Sequence, residues 1–189
     1  LFRSTPPQNY ADYAFIQHIL KSMNEEHGRC AILLPHGVLF RRDEEELRKK
    51  LVETDMIECV IALGHYLFYN SAMISAVMIC KAHKPDERKN KVLFIEAENE
   101  VTRKNAQSYL EPVHIERMVN AYNSFTNEPG YCQVASKEEI LANNGKLSIS
   151  LYVEGVPDED IETPEEAFES WSKSAESFEK DIVKLEGLL

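Results

Sequence analysis

Two stretches of this chain gather side chains whose types and spacing suit chemistry. The first, "LPHGVLFRR", runs from Leu34 to Arg42 and sets Pro35, His36 and Gly37 directly behind a short apolar run. A loop leaving the carboxyl end of a strand is where open sheets place their ligands. Gly37 permits a turn there, and His36 is a candidate to face the cleft. Arg41 and Arg42 close the stretch; they either meet phosphates or form the solvated entrance to the next helix. The second stretch, "GHYLFYNS", collects Tyr66, Phe68 and Tyr69 between two apolar runs. Elsewhere the candidates disperse. His18, His27, His65, His83 and His114 show no ligand spacing, so no metal centre is expected. Cys30, Cys59, Cys80 and Cys132 lie far apart without a CxxC pair. Buried reduced thiols, the expected state, favour the cytoplasm.

The elements that must position these loops follow from periodicity. Residues 11–27 form a helix in this reading, because Ile16, Ile19, Leu20 and Met23 fall at i, i+3, i+4 and i+7 and Gly28 stops them. "CAILLP" is continuously apolar, the pattern of a strand covered on both faces within a largely parallel sheet. "RDEEELRKKLVET" restarts a helix, with Asp43 as cap, Glu46 three residues on, and Leu47 and Leu51 as its stripe. "MIECVIAL", "MISAVMIC" and "VLFI" are further strands, with crossover spacing early and hairpin-like spacing late. The fold class is therefore α/β: the second half of an open sheet that ends in an antiparallel hairpin. Beyond Glu100 the pattern becomes irregular. A helix over residues 114–125, a strand over 132–134, the helix "SKEEILAN" and an extended segment over 147–153 are expected.

A first half of such a sheet is not legible. None of the seven glycines forms GxGxxG, and no acidic residue ends a second strand to hold a ribose. An unpaired central strand edge would pair with itself or with a missing half. The expected organisation is residues 1–110 as the end of a larger sheet domain or as a small independent α/β domain, 111–155 as a mixed α/β extension, and 156–189 as an acidic linker and helix.

Composition narrows the function classes. With 43% hydrophobic residues the chain has material for a core. No apolar run approaches the roughly 20 residues that span a bilayer, so no membrane partner is expected. Of the net charge of −11, residues 154–189 hold 12 acidic and three basic side chains, leaving 20 and 18 for the rest. The globular part is thus nearly neutral, unlike a protein that grips duplex DNA by a basic surface alone. In the acidic tail Phe168, Trp171, Ala175, Phe178, Ile182, Leu185 and Leu189 are spaced alternately three and four apart, a heptad seam. It either folds back on its own domain or docks on another chain's helix.

Four stretches, "PPQNYADYAFIQHIL", "GRCAILLPHGVLFRRDEEELRKKLVE", "VIALGHYLFYNSAMISAVMICK" and "KVLFIEAENEV", resemble the modification (methyltransferase) subunit of type I restriction–modification systems, in the family's order. The resemblance implies a Rossmann-like sheet, S-adenosylmethionine as the parent subunit's methyl donor, adenine N6 in DNA as acceptor, and specificity and restriction subunits as partners. The family's catalytic Asn-Pro-Pro-aromatic motif is not the Pro6–Pro7 pair here. Thr5 precedes that pair, and a threonine offers no amide or carboxylate oxygen to the adenine amino group. The chain therefore corresponds to the family's C-terminal part, expected to hold no catalytic residue and no donor site and to be inactive alone. By the same resemblance Phe68 aligns with an aromatic that stacks on the extruded target base, with Tyr66 and Tyr69 as substitutes. Two departures stand in this loop: Gly64-His65-Tyr66 replaces a common proline after the strand, and Ser71-Ala72-Met73 replaces Thr-Gly-Ile.

Overall fold

A computed structural model describes residues 5–8, 10–69, 71–154, 168, 171, 172 and 174. The chain divides into two compact units, Leu1–Gly155 and Val156–Leu189.

In the first unit the longest apolar runs become strands. They are β1 (Arg29–Pro35), β2 (Ile57–Leu63), β3 (Ser75–Lys81), β4 (Lys91–Ala97) and β7 (Cys132–Ser136), side by side in the order β1-β3-β2-β4-β7. β2 is central, and all seven of its residues are buried. Its Val60 and Ala62 face one core and Cys59, Ile61 and Leu63 the other, as the two-residue period of a strand requires. Helices cover it on both sides. α1 (Asp12–Ser22) buries Tyr13, Ile16 and Leu20, and α2 (Glu45–Glu53) buries Leu47, Leu51 and Val52, both on the first face. On the second face α3 (Pro112–Ser124) contributes Met118 and Ala121.

Several expectations need correction. The strand after α1 is not covered on both faces: β1 is an edge strand antiparallel to β3, and its burial alternates, with Leu33 50% exposed. Of the neighbouring pairs in this sheet only β2–β4 is parallel, although β1 also runs in their direction. β2 and β3 form an antiparallel pair, whereas the hairpin-like spacing between β3 and β4 is a crossover. Residues 82–90 carry the chain past β2 to its far side, where β4 pairs. Lys84 secures that crossover from inside: its buried Nζ donates to the carbonyls of Ile57 (2.9 Å) and Lys91 (2.7 Å) and pairs with Asp55 at 2.6 Å.

α1 stops at Ser22, five residues short of the expected end, because the Asn24 side chain accepts the amides of Glu26 and His27 and bends the chain into a turn. Asp43 does not cap α2; it lies in a short 3₁₀ turn, Arg42–Glu44, that precedes the helix. Ser136 caps α4 (Lys137–Ala142) by accepting the Glu139 amide at 3.1 Å. Residues 147–153 are not extended. They fold under the sheet around a 3₁₀ turn, Ile149–Leu151, with Tyr152 stacked on Phe94 at 4.1 Å. The irregular region after Glu100 holds a two-stranded ribbon, β5 (Thr102–Lys104) against β6 (Gln107–Tyr109).

In the second unit, helix is present at residues 168, 171, 172 and 174, with Phe168 and Trp171 both largely exposed and their rings 5.9 Å apart. The rest of the seam, Ala175, Phe178, Ile182, Leu185 and Leu189, lies outside the described residues.

Candidate functional site

The two candidate loops emerge from the same end of the sheet. Pro35, at the end of β1, and Leu63, at the end of β2, both register with Ser75 of β3, and Leu63 also registers with Ala97 of β4.

The loop after β1 is anchored in the core. His36 begins a 3₁₀ turn, His36–Leu39, donates its amide to Ile74 and packs edge-on against Phe40 at 5.6 Å. Val38 and Leu39 are fully buried. Gly37 lies in this turn, where a Cβ would come within 3.1 Å of Arg41 Nε. Arg41 is engaged on several sides: its Nη1 donates to Asp12 at 2.7 Å and Glu44 at 3.4 Å, and its guanidinium lies 4.5 Å from the Tyr10 ring centre. Below it Arg48, also fully buried, donates to the carbonyls of Gly145 (2.9 Å) and Arg41 (3.0 Å). Burial pushes the Glu44 carboxyl above the usual range, against the pull of Arg41. Arg42, by contrast, is exposed.

The loop after β2, residues 64–74, is held by backbone at its base and open at its tip. Gly64 packs so closely that a Cβ would lie 2.5 Å from the Glu98 carbonyl oxygen. His65 Nδ1 sits 3.3 Å from the Ala72 carbonyl. Tyr66 takes a left-handed φ of 59° and accepts the Ser108 amide of β6 at 2.9 Å. Such a φ is uncommon outside glycine, so the ribbon contact helps hold it. Phe68 and Ser71 pinch the tip through a backbone bond of 3.1 Å. Phe68 is half-buried, whereas Tyr69 is 85% exposed.

The three aromatics therefore have different surroundings. Tyr66 is turned against the ribbon, where Arg103 covers its ring. Phe68 sits at the base of the tip and Tyr69 stands in solvent. The sequence reading did not single out the ribbon. Its signal was present in "TRKNAQSY": an Asn at a two-residue turn, here with φ of 55°, between short strand-compatible segments.

The two glycines beside the strand ends, Gly37 and Gly64, face Arg41 and the Glu98–Val101 segment. Among the described residues no group of three or more His, Cys, Asp or Glu could hold a metal ion, and no helix is long and apolar enough to cross a membrane.

Comparison with known proteins places this geometry. Residues 2–161 match the N-6 DNA Methylase family. The methylase subunits of the type I restriction enzymes MjaVIII and MjaVII, both from Methanocaldococcus jannaschii, are 34% and 37% identical over 97% and 94% of this chain. The chain spans about a third of their length: 32% and 31%. Among solved structures, the methyltransferase subunit of a type I restriction-modification system from Streptococcus thermophilus superposes with a TM-score of 0.76 at 36% identity. That match covers 81% of this chain and 32% of that one. The M protein of the type I enzyme EcoKI shares the fold, with a TM-score of 0.63 at 16% identity over 82% of this chain and 40% of its own.

Proposed function

The chain belongs to the N-6 DNA methylase family, and on that premise we propose that it is the C-terminal part of a type I modification subunit that methylates adenine N6 in DNA. The parent subunit takes its methyl group from S-adenosylmethionine and works in the cytoplasm with specificity and restriction subunits. This chain's share is to receive the target base. The observation that carries the reading is a family match across residues 2–161 that includes an aromatic loop at the carboxyl end of the sheet.

A base held in a duplex cannot be methylated on its amino group until it leaves the stack, at a cost of a few kcal/mol. An aromatic face returns roughly 1–3 kcal/mol of that by stacking. Phe68 is the proposed face, with Tyr69 as the more exposed substitute and Tyr66 held back by the ribbon. Arg42, exposed at the mouth of the first loop, is the proposed phosphate contact there; Arg41, already engaged by two carboxylates, serves to fix Pro35, His36 and Gly37 in place.

No step through the methyl donor is assigned to these residues. Isothermal calorimetry of the 189-residue chain with S-adenosylmethionine tests this division of labour. No binding heat is expected, and clear micromolar binding would overturn it.

A second reading is supported by the exposed Phe168–Trp171 pair: the terminal helix docks on helices of the specificity subunit. Replacing both with Asp should abolish co-purification with that subunit; an unaffected complex would remove this reading. The outer edge of β1, which has no strand partner among the described residues, and the exposed Leu33 support pairing of this chain with a second copy or with the parent's remaining strands. Sedimentation of a Leu33→Lys variant checks it, since the substitution should shift any dimer to monomer.

A further inference from the structure

Among the described residues four arginines lie over aromatic rings, and three of them are neutralised. Arg41 over Tyr10 pairs with Asp12 and Glu44, Arg88 over Tyr122 and Phe125 pairs with Glu58, and Arg117 over Tyr131 pairs with Glu100 and Glu128. The fourth is different. Arg103 of β5 lies 4.4 Å from the Tyr66 ring centre, is exposed, and has no carboxylate partner among the described residues. Lys104, next to it at the tip of the ribbon, is likewise exposed and unpaired among them.

The ribbon contains no acidic residue between Val101 and Leu110, and Glu100, the nearest acid before it, is occupied by Arg117. In a chain with a net charge of −11 this is a small positive finger. It is fixed to the base-receiving loop twice, by the Ser108 amide on the Tyr66 carbonyl and by Arg103 on the Tyr66 ring. A guanidinium placed over a ring still has N–H donors to spare, and these match phosphate oxygens.

We propose that the β5–β6 ribbon is a phosphate-contacting finger, in which Arg103 and Lys104 hold the DNA backbone beside the base that the loop after β2 receives. Arg103 is at the same time a positioning residue, because its stack on Tyr66 fixes the base of that loop. The inference rests on the function proposed above and adds to it the residues that register the strand. It also accounts for how a nearly neutral domain meets DNA, through a local pair of cations instead of a basic face.

The test is an amide-resolved NMR titration of the 189-residue chain with a short duplex carrying one unpaired adenine, repeated at several salt concentrations. Shifts are expected at residues 102–104, Ser108, Tyr66 and the loop tip, and inorganic phosphate at equal phosphate concentration should not reproduce them. The Arg103→Gln/Lys104→Gln variant should lower the slope of log affinity against log salt by about 0.7–0.9 per lost contact. Arg103→Lys keeps the charge and should retain that slope, which separates contact from folding. If the double variant keeps the wild-type slope while the loop tip still shifts, the ribbon proposal falls and the functional reading survives. If DNA shifts neither ribbon nor loop, both fall. Equal shifts with inorganic phosphate would reduce the ribbon to a simple anion site and overturn the proposal.

Discussion

The loops that leave β1 and β2 begin at one end of one sheet, yet they are built in opposite ways. The first is tied inward by side chains. Arg41, Glu44 and Arg48 form a charged cluster beneath it, and its Leu39 carbonyl accepts the amide of Leu147 from the far end of the domain. The second is tied at its base by backbone contacts, by His65 on the Ala72 carbonyl and by Arg103 over the Tyr66 ring, and of Tyr66, Phe68 and Tyr69 only Tyr69 is exposed. The difference is one of exposure: the first loop is bound into the core through Val38 and Leu39, whereas the second reaches solvent at Tyr69.

Four substitutions break or sharpen this contrast. Arg48→Met should have the largest effect on stability. It removes a buried charge from the cluster and leaves two carbonyls without their donor, a loss of about 3–5 kcal/mol that urea denaturation would read. Phe68→Ala should leave stability much less changed but lower methyl transfer by the full-length subunit. Loss of roughly 1–3 kcal/mol of stacking corresponds to about a fivefold to 150-fold drop in single-turnover rate; an unchanged rate would move the stacking role to Tyr69.

Glu44→Gln tests the buried wall by pH. Because burial raises the Glu44 carboxyl above its unfolded value, the wild type is favoured below the unfolded carboxylate range, and that advantage is lost as pH rises through the folded value. The stability difference between wild type and Gln variant should therefore fall from pH 4 towards neutrality, and a flat difference in urea midpoints would contradict the burial argument. The smallest effect is expected for Tyr69→Ala, within about 0.5 kcal/mol of wild type, since its ring is almost wholly in solvent.

Most strands were legible because Val, Ile and Leu runs of fixed length leave few alternatives. Their pairing was not. "CAILLP" reads the same whether it is covered twice or forms an edge, since apolar content does not say which neighbour is present. The β3–β4 connection has the length of a generous hairpin, and only the burial of Lys84 beneath the crossover distinguishes it. In the site, the aromatic loop was visible as a cluster, and its three rings became distinct only once the ribbon placed Arg103 over Tyr66. Arg41 and Arg42 are adjacent and chemically identical in sequence. The partners that separate them, Asp12 and Glu44, include one from 29 residues away.

The concealed amine of Lys84 has a practical corollary. Its nitrogen touches carbonyls from β2 and β4 at once and is closed to solvent, so an acylating reagent reaches it only in molecules whose parallel strand pair has come apart. Mass-spectrometric counting of that adduct over time would make one lysine a clock for sheet opening.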